Sequence, residues 1–166
     1  MIWFRVRDRL RRGQRRRQVL AYLKGAQNQT RAELASSAML AVLTERIARA
    51  GATEISADEI AETVAQAEGI VVGYQGQIAQ IEPLLAKARI RTERWVHWSS
   101  VAEARGSPEL VAKARAYREA CEGDERELVK AIEDCQAGCR RLRDAIEQVQ
   151  ALAQRSVTAA PTTGRG

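Results

Sequence analysis

The sequence predicts an all-α protein: an elongated antiparallel three-helix bundle, or a coiled-coil hairpin completed by another copy, with an Arg-rich amphipathic N-terminal arm. Three observations support this fold. The 166 residues include 29 Ala and only three Pro, a composition typical of long, closely packed helices. Apolar residues recur at alternating steps of three and four, the period of a coiled coil. Positive charge is concentrated at one end of the chain.

The arm comprises residues 1–17 and carries nearly all the excess charge. Residues 1–24 sum to +8, and because the whole chain is +6, the remaining residues carry −2. An anionic surface would be bound by eight arginines: Arg5, Arg7, Arg9, Arg11, Arg12, Arg15, Arg16 and Arg17. Four apolar residues on one side of the arm, as a helix, would insert into a membrane: Ile2, Trp3, Val6 and Leu10. The same arginines could neutralise nucleic-acid phosphates, which is the alternative interpretation.

A single coiled-coil domain is predicted over residues 18–155, and its first helix covers about 14–50. Six residues make the apolar side of this helix: Leu34, Met39, Leu40, Val42, Leu43 and Ile47. Gly51 ends the helix, because glycine is common just after a helix C-terminus.

The second helix is predicted over about 56–105 and has the clearest periodicity. Ser56 and Glu59 form a capping box at its start, and Gly106 follows its end. The apolar stripe consists of Ile60, Val64, Ala67, Val71, Tyr74, Ile78, Ile81, Leu85, Ala88, Thr92, Trp95, Ser99 and Ala102. Pro83 interrupts the helix, and the unbroken register across it favours a kink over a break. The stretch 69–83, which also contains three glycines, is the predicted point of flexing.

The third helix is predicted over about 107–155, with Ser107 as N-cap and Pro108 at the first helical position. Its stripe consists of Leu110, Ala114, Tyr117, Cys121, Leu128, Ile132, Cys135, Cys139, Leu142, Ile146, Val149 and Ala153. Short connections between the helices favour antiparallel neighbours. Residues 156–166 are predicted to be a disordered tail.

No motif indicates catalysis or a cofactor. The three cysteines share one helical stripe, and the positions that would face Cys135 and Cys139 across an antiparallel hairpin are Ile78 and Tyr74, which are not metal ligands. We therefore expect buried thiols, no metal, no cofactor and no small-molecule substrate. The single histidine has no second histidine or Ser/Asp partner for a relay, so we expect no enzyme activity.

Three aromatic residues are candidates for a protein interface: Trp98, Trp95 and Tyr117. Trp95 lies on the apolar stripe and would face Tyr117, forming an aromatic plug at one end of the hairpin. Trp98 lies off the stripe and is the better candidate for an exposed contact with another protein. The sequence leaves both interpretations open.

The layout resembles the phage-shock protein A family of membrane-associated bacterial proteins, through the hydrophobic and basic pattern of Ile2 to Leu10 and the long hairpin. Helical stalk proteins of type III export systems are similar in size and coiled-coil character. These likenesses are of pattern, and no family is assigned from them. We expect a scaffold or adaptor that forms a homo-oligomer or joins a larger protein assembly, for example as a stalk subunit. Its odd number of cysteines and lack of an export signal favour the cytoplasm, and docking through the arm would place it on the inner face of a membrane.

Overall fold

The computed structural model describes residue 25 and residues 28–49 and 55–158. Of these, 96% are helical, and the described part of the chain contains no strand. Helix α1 covers 28–49, α2 is Ala57–Ala104, and α3 is Pro108–Thr158. The predicted all-α class is confirmed.

The ends of α2 and α3 follow local sequence signals. The Ser56 Oγ accepts a hydrogen bond from the Glu59 backbone N–H at 3.1 Å, so Ser56 is the predicted N-cap of α2. Gly106 has a φ of 65°, in the left-handed region that glycine adopts without strain. Its N–H donates to the Glu103 carbonyl at 3.0 Å, and α3 begins directly afterwards at Pro108. These boundaries are as predicted.

At its other end, α3 is longer than predicted. Residues 156–158 are helical, so the expectation of disorder is wrong for them. No glycine or proline lies between Arg155 and Pro161, and the Thr158 hydroxyl donates to the carbonyl oxygens of Gln154 and Arg155. Residues 159–166 lie outside the described residues.

Helix α2 is continuous across Pro83, so the proline does not break it. All thirteen predicted stripe positions from Ile60 to Ala102 are buried or half-buried, so the predicted stripe is the inward side of this helix. Bending at Pro83 and flexing over 69–83 remain predictions.

The chain divides into two compact units. Unit 1 runs to Gln75 and resumes at Ala137, and unit 2 is Gly76–Gln136. Segments of all three helices build the core of unit 1, whose buried apolar residues are Leu40, Leu43, Ile47, Ile55, Val64, Ala67, Val71, Tyr74, Cys139, Leu142, Ile146 and Val149. In unit 2, α2 contributes Ile81, Leu85 and Ala88, which pack with Leu128 of α3.

The predicted apolar side of α1 is wrong in its outer half. Leu40, Leu43 and Ile47 are buried, but Leu34, Met39 and Val42 remain 66%, 44% and 55% exposed. The buried side of α1 continues towards the N-terminus from Leu40 at the same spacing of four and three residues. Its two residues there are polar.

Those residues are Ser36, 1% exposed, and Glu33, 3% exposed. Both side chains are polar, so the pattern of apolar residues does not reveal that they are buried. Leu110, predicted on the α3 stripe, is 45% exposed in the first turn of that helix, where few neighbouring side chains can surround it.

Candidate functional site

The predicted docking residues of the arm lie outside the described residues. This holds for the arginines Arg5, Arg7, Arg9, Arg11, Arg12, Arg15, Arg16 and Arg17, and for the inserting residues Ile2, Trp3, Val6 and Leu10. Their role remains a prediction.

The aromatic candidates separate into a contact inside unit 2 and an exposed ring. Trp95 of α2 stacks on Tyr117 of α3, with ring centroids 4.5 Å apart and planes inclined by 13°. Both residues are half-buried, as expected of an aromatic plug. Trp98 is 53% exposed and meets His97 edge to face, with centroids 6.3 Å apart. The structure therefore brings Trp95 and Tyr117 together and leaves much of Trp98 accessible.

The three cysteines are free thiols. Cys135 and Cys139 are buried, and Cys121 is half-buried. Their contacts are not metal contacts: Cys135 Sγ lies 3.5 Å from Gln77 Oε1, and Cys139 Sγ lies 3.8 Å from the Val71 carbonyl. The pKa of Cys139 is raised, and burial is the largest cause. The Glu33 carboxylate also raises it, whereas the positive charges of Arg143 and Arg140 lower it by less.

A buried polar cluster in unit 1 was not predicted. It joins one residue from each helix: Glu33 of α1, Tyr74 of α2 and Arg141 of α3. Tyr74 donates its hydroxyl hydrogen to Glu33 Oε2 at 2.6 Å, and Arg141 Nε donates to Glu33 Oε1 at 2.7 Å. The Glu33 side chain is 4% exposed, whereas Arg141 is 61% exposed and keeps its guanidinium in contact with water.

The cluster closes over Gly138 of α3. A Cβ at this position would lie 2.7 Å from Tyr74 Cε2 and 3.0 Å from Glu33 Oε2. Any side chain here would displace the tyrosine ring, so glycine is required by close packing. A similar approach occurs at Gly73, where the side-chain amide of Gln29 occupies the place of a Cβ and donates to the Ile70 carbonyl at 3.1 Å.

Glu33 is stabilised as a carboxylate despite its burial. Burial is the largest single influence and raises the pKa of Glu33. The hydrogen bonds from Arg141 and Tyr74, together with the positive charge of Arg141, lower it by more, so the pKa lies below its ordinary value. A carboxylate held by two donors is a structural ion that fixes its partners in place.

Ser36, one turn after Glu33, is the one unsatisfied member of this polar stretch. Its hydroxyl oxygen is buried and has no hydrogen-bond partner among the described residues. An unsatisfied buried hydroxyl costs about 1–3 kcal/mol. Ser36 therefore lowers the stability of the protein and does not strengthen the cluster.

The cluster can align the three helices of unit 1, because it ties each of them to the same carboxylate. Polar residues inside coiled coils commonly specify register at some cost in stability. One signal could have identified Glu33: it occupies a position of the α1 stripe when the period is extended back from Leu40. Nothing in the neighbouring residues marks Gly138.

Within residues 28–49 and 55–158, no cluster of His, Cys, Asp and Glu is arranged to hold a metal ion. None of the helices in the described part combines the length and the apolar character needed to cross a lipid bilayer. Two surface depressions in unit 2 have volumes of about 520 and 300 Å³, and the larger is lined in part by the Glu103–Arg115 ion pair.

Comparison of the chain with protein-family models, curated proteins and solved structures yields no match.

Proposed function

We propose that this chain is a non-enzymatic coiled-coil adaptor that self-associates and docks on an anionic membrane surface through its N-terminal arm. The observation that carries the proposal is the separation of charge: residues 1–24 are +8 and the rest of the chain is −2. A cationic segment ahead of a mildly acidic helical body suits a tether. The positive charge that attracts an anionic partner is then confined to the arm, and the rest of the chain is not drawn to that partner.

The body is proposed to be an elongated antiparallel bundle. In unit 2 the residues that meet across α2 and α3 support this arrangement. Trp95 pairs with Tyr117 near the Gly106 turn, and Gln77 pairs with Cys135 far from it. Partners that become more distant in sequence with distance from a turn are expected of antiparallel helices.

Self-association is supported by the apolar residues that the described helices leave exposed. Large apolar side chains that lie together on an exposed helix face are typical of contacts with further helices. Cytoplasmic location at the inner face of a membrane is part of the proposal, since that leaflet carries the anionic lipids.

Flotation with liposomes tests membrane docking. We expect the protein to float with vesicles rich in phosphatidylserine and to remain behind with purely zwitterionic vesicles. Ile2→Ser combined with Trp3→Ser should abolish flotation, because it removes two of the four inserting side chains, including the aromatic one. The matched control is Trp98→Ser, which removes an exposed tryptophan from unit 2 and should leave flotation unchanged.

Salt separates the two interpretations of the arm. Insertion of apolar side chains resists salt, whereas binding to phosphates alone weakens steeply as salt rises. Full release by salt, with no effect of the Trp3 change, would contradict the membrane proposal.

The alternative function is association with nucleic acid. It is favoured by Arg15, Arg16 and Arg17, three consecutive cations. A gel shift with duplex DNA and with RNA at two salt concentrations tests it. Binding that survives Ile2→Ser and Trp3→Ser and is lost on replacing these three arginines by Gln would support this alternative.

A further inference from the structure

We infer that the outer face of α1 is a two-fold symmetric interface with a second copy of this chain. This face, called the α1 outer stripe below, consists of Arg31, Leu34, Ala38, Val42 and Glu45. The inference rests on the self-association in the proposed function and names the surface that would mediate it.

The α1 outer stripe lies opposite the buried side of the helix. At 3.6 residues per turn, its five members fall within about 40° of Ala38 around the helix axis. The buried residues Leu40, Leu43 and Ile47 fall on the far side. The stripe is accessible: Leu34 is 66% exposed and Val42 is 55% exposed, and the other three members are exposed as well.

The stripe is complementary to itself when two copies run antiparallel. With Ala38 on the two-fold axis, each residue meets the one equally far on the other side. Arg31 then faces Glu45 of the second copy, Leu34 faces Val42, and Ala38 faces Ala38. Each pair occurs twice, as an isologous interface requires. The small Ala38 at the centre permits a close helix approach, and the two apolar pairs flank it.

Charge selects the antiparallel orientation. In a parallel pair, Arg31 would face Arg31 and Glu45 would face Glu45, which places like charges at both ends. Arg31 forms no ion pair within the described part of the chain. Glu45 pairs with Arg49 on the same helix, and its side chain is still 60% exposed, so it can accept a second cation.

The size of the surface sets the expected strength. The stripe from Arg31 to Glu45 is about 21 Å long at 1.5 Å per residue. A helix pair of this length buries less than a standard stable interface, so we expect dimerisation in the micromolar range.

Sedimentation equilibrium of the full chain, from about 1 to 100 µM, tests the interface. Leu34→Ser combined with Val42→Ser should weaken the dimer at least tenfold. Met39→Ser is the matched control, because Met39 is 44% exposed on the same helix but lies off the stripe. It should leave dimerisation unchanged.

Charge reversal tests the facing charges, and the homodimers of the variants test the orientation, because in a parallel pair a single reversal would leave the number of like-charge pairs unchanged. Arg31→Glu and Glu45→Arg should each weaken the homodimer, since each creates like-charge pairs at both ends. A mixture of the two variants should form a heterodimer, because all its facing charges are then opposite. Recovery on mixing cannot be explained by misfolding of either variant. Lys130→Glu and Glu147→Arg are matched charge controls on α3, where both residues are exposed.

A second measurement locates the axis. Under mild oxidation, Ala38→Cys should give a disulfide-linked dimer, and Leu34→Cys should give far less, because its counterpart is Val42. The three native cysteines are present in every variant, so the unmodified chain is the baseline.

Three results would overturn the inference. The first is a dimer unaffected by Leu34→Ser with Val42→Ser, which would assign self-association to another face and leave the proposed function standing. The second is failure of the charge-reversed variants to pair. The third is a monomer at the highest concentration, which would also remove self-association from the proposed function. Membrane docking is judged separately by flotation.

Discussion

Replacing Gly138 by Ala should destabilise the protein, although the same replacement usually stabilises a helix. The introduced Cβ would lie 2.7 Å from Tyr74 Cε2, 2.9 Å from Tyr74 Cζ and 3.0 Å from Glu33 Oε2. Neither group can give way cheaply, because the tyrosine ring is 3% exposed and its hydroxyl is bonded to Glu33. The ring must move, and its movement lengthens that hydrogen bond.

The size of the effect follows from three opposing contributions. Ala in place of Gly favours a helix by about 1 kcal/mol. Overpacking of a core costs about 1–3 kcal/mol. A hydrogen bond to a charged group contributes about 1.5–3 kcal/mol. Since the movement that relieves the overlap is the one that weakens the bond, the two costs are not additive, and we expect a net destabilisation of about 2 kcal/mol.

Urea unfolding followed by far-UV circular dichroism measures this change, at one fixed protein concentration because self-association adds to apparent stability. Gly69→Ala is the matched control, because nothing lies within 4 Å of a Cβ at that position of α2. It should stabilise the protein by about 1 kcal/mol. If Gly138→Ala stabilised the protein to the same extent as Gly69→Ala, the close packing of Tyr74 over Gly138 would be refuted.

A double-mutant cycle with Tyr74→Phe identifies the mechanism. Phe removes the hydroxyl but keeps the ring, so the part of the Gly138→Ala effect that passes through the hydrogen bond should shrink in this background. Full additivity of the two changes would show that the overlap acts on packing alone.

Three further predictions concern the buried carboxylate, the buried thiol and the two tryptophans. The pKa of Glu33 in the folded state lies below the ordinary 4.5, so its contribution to stability is present above pH 4.5 and is lost as pH falls through the folded pKa. Glu33→Gln should therefore lower the stability at neutral pH and make stability depend less on pH in acid. An acid dependence unchanged by Glu33→Gln would contradict the ion pair. Burial raises the pKa of Cys139, so iodoacetamide should alkylate Cys139 more slowly than the half-buried Cys121 at neutral pH. Peptide mass spectrometry measures both rates, and equal rates would argue against the burial of Cys139. Trp95→Ala removes a stacked ring and should lower the free energy of unfolding in urea by about 2–3 kcal/mol. Trp98→Ala should change it by no more than about 0.5 kcal/mol, because that ring is largely exposed. A larger effect of Trp98→Ala than of Trp95→Ala would contradict the packing of both residues.

The exposed face of α1 and its buried cluster have a common origin in the α1 sequence. The helix contains enough apolar residues for two faces, and the core takes only Leu40, Leu43 and Ile47. Leu34 and Val42 are left outside, where they form the middle of the α1 outer stripe. Glu33 takes the place on the buried side that an apolar residue would otherwise fill.

Local signals in the sequence were enough to predict the bounds of α2 and the start of α3. Ser56 caps through a hydrogen bond to a residue three positions away, and Gly106 and Pro108 act through their own backbone angles. The period of the α2 stripe is likewise a property of one helix, and it predicted which residues face inward. These features depend on neighbours within one or two turns, so the sequence by itself determined them.

Only the tertiary structure decided which side of α1 is buried and why Gly138 must be glycine. Glu33 is 41 residues from Tyr74 and 108 residues from Arg141, so no local pattern shows that both will donate to its carboxylate. A buried charge is tolerated only where its partners are supplied, and here they come from two other helices. The polar half of the α1 core therefore depends on the packing of all three helices together.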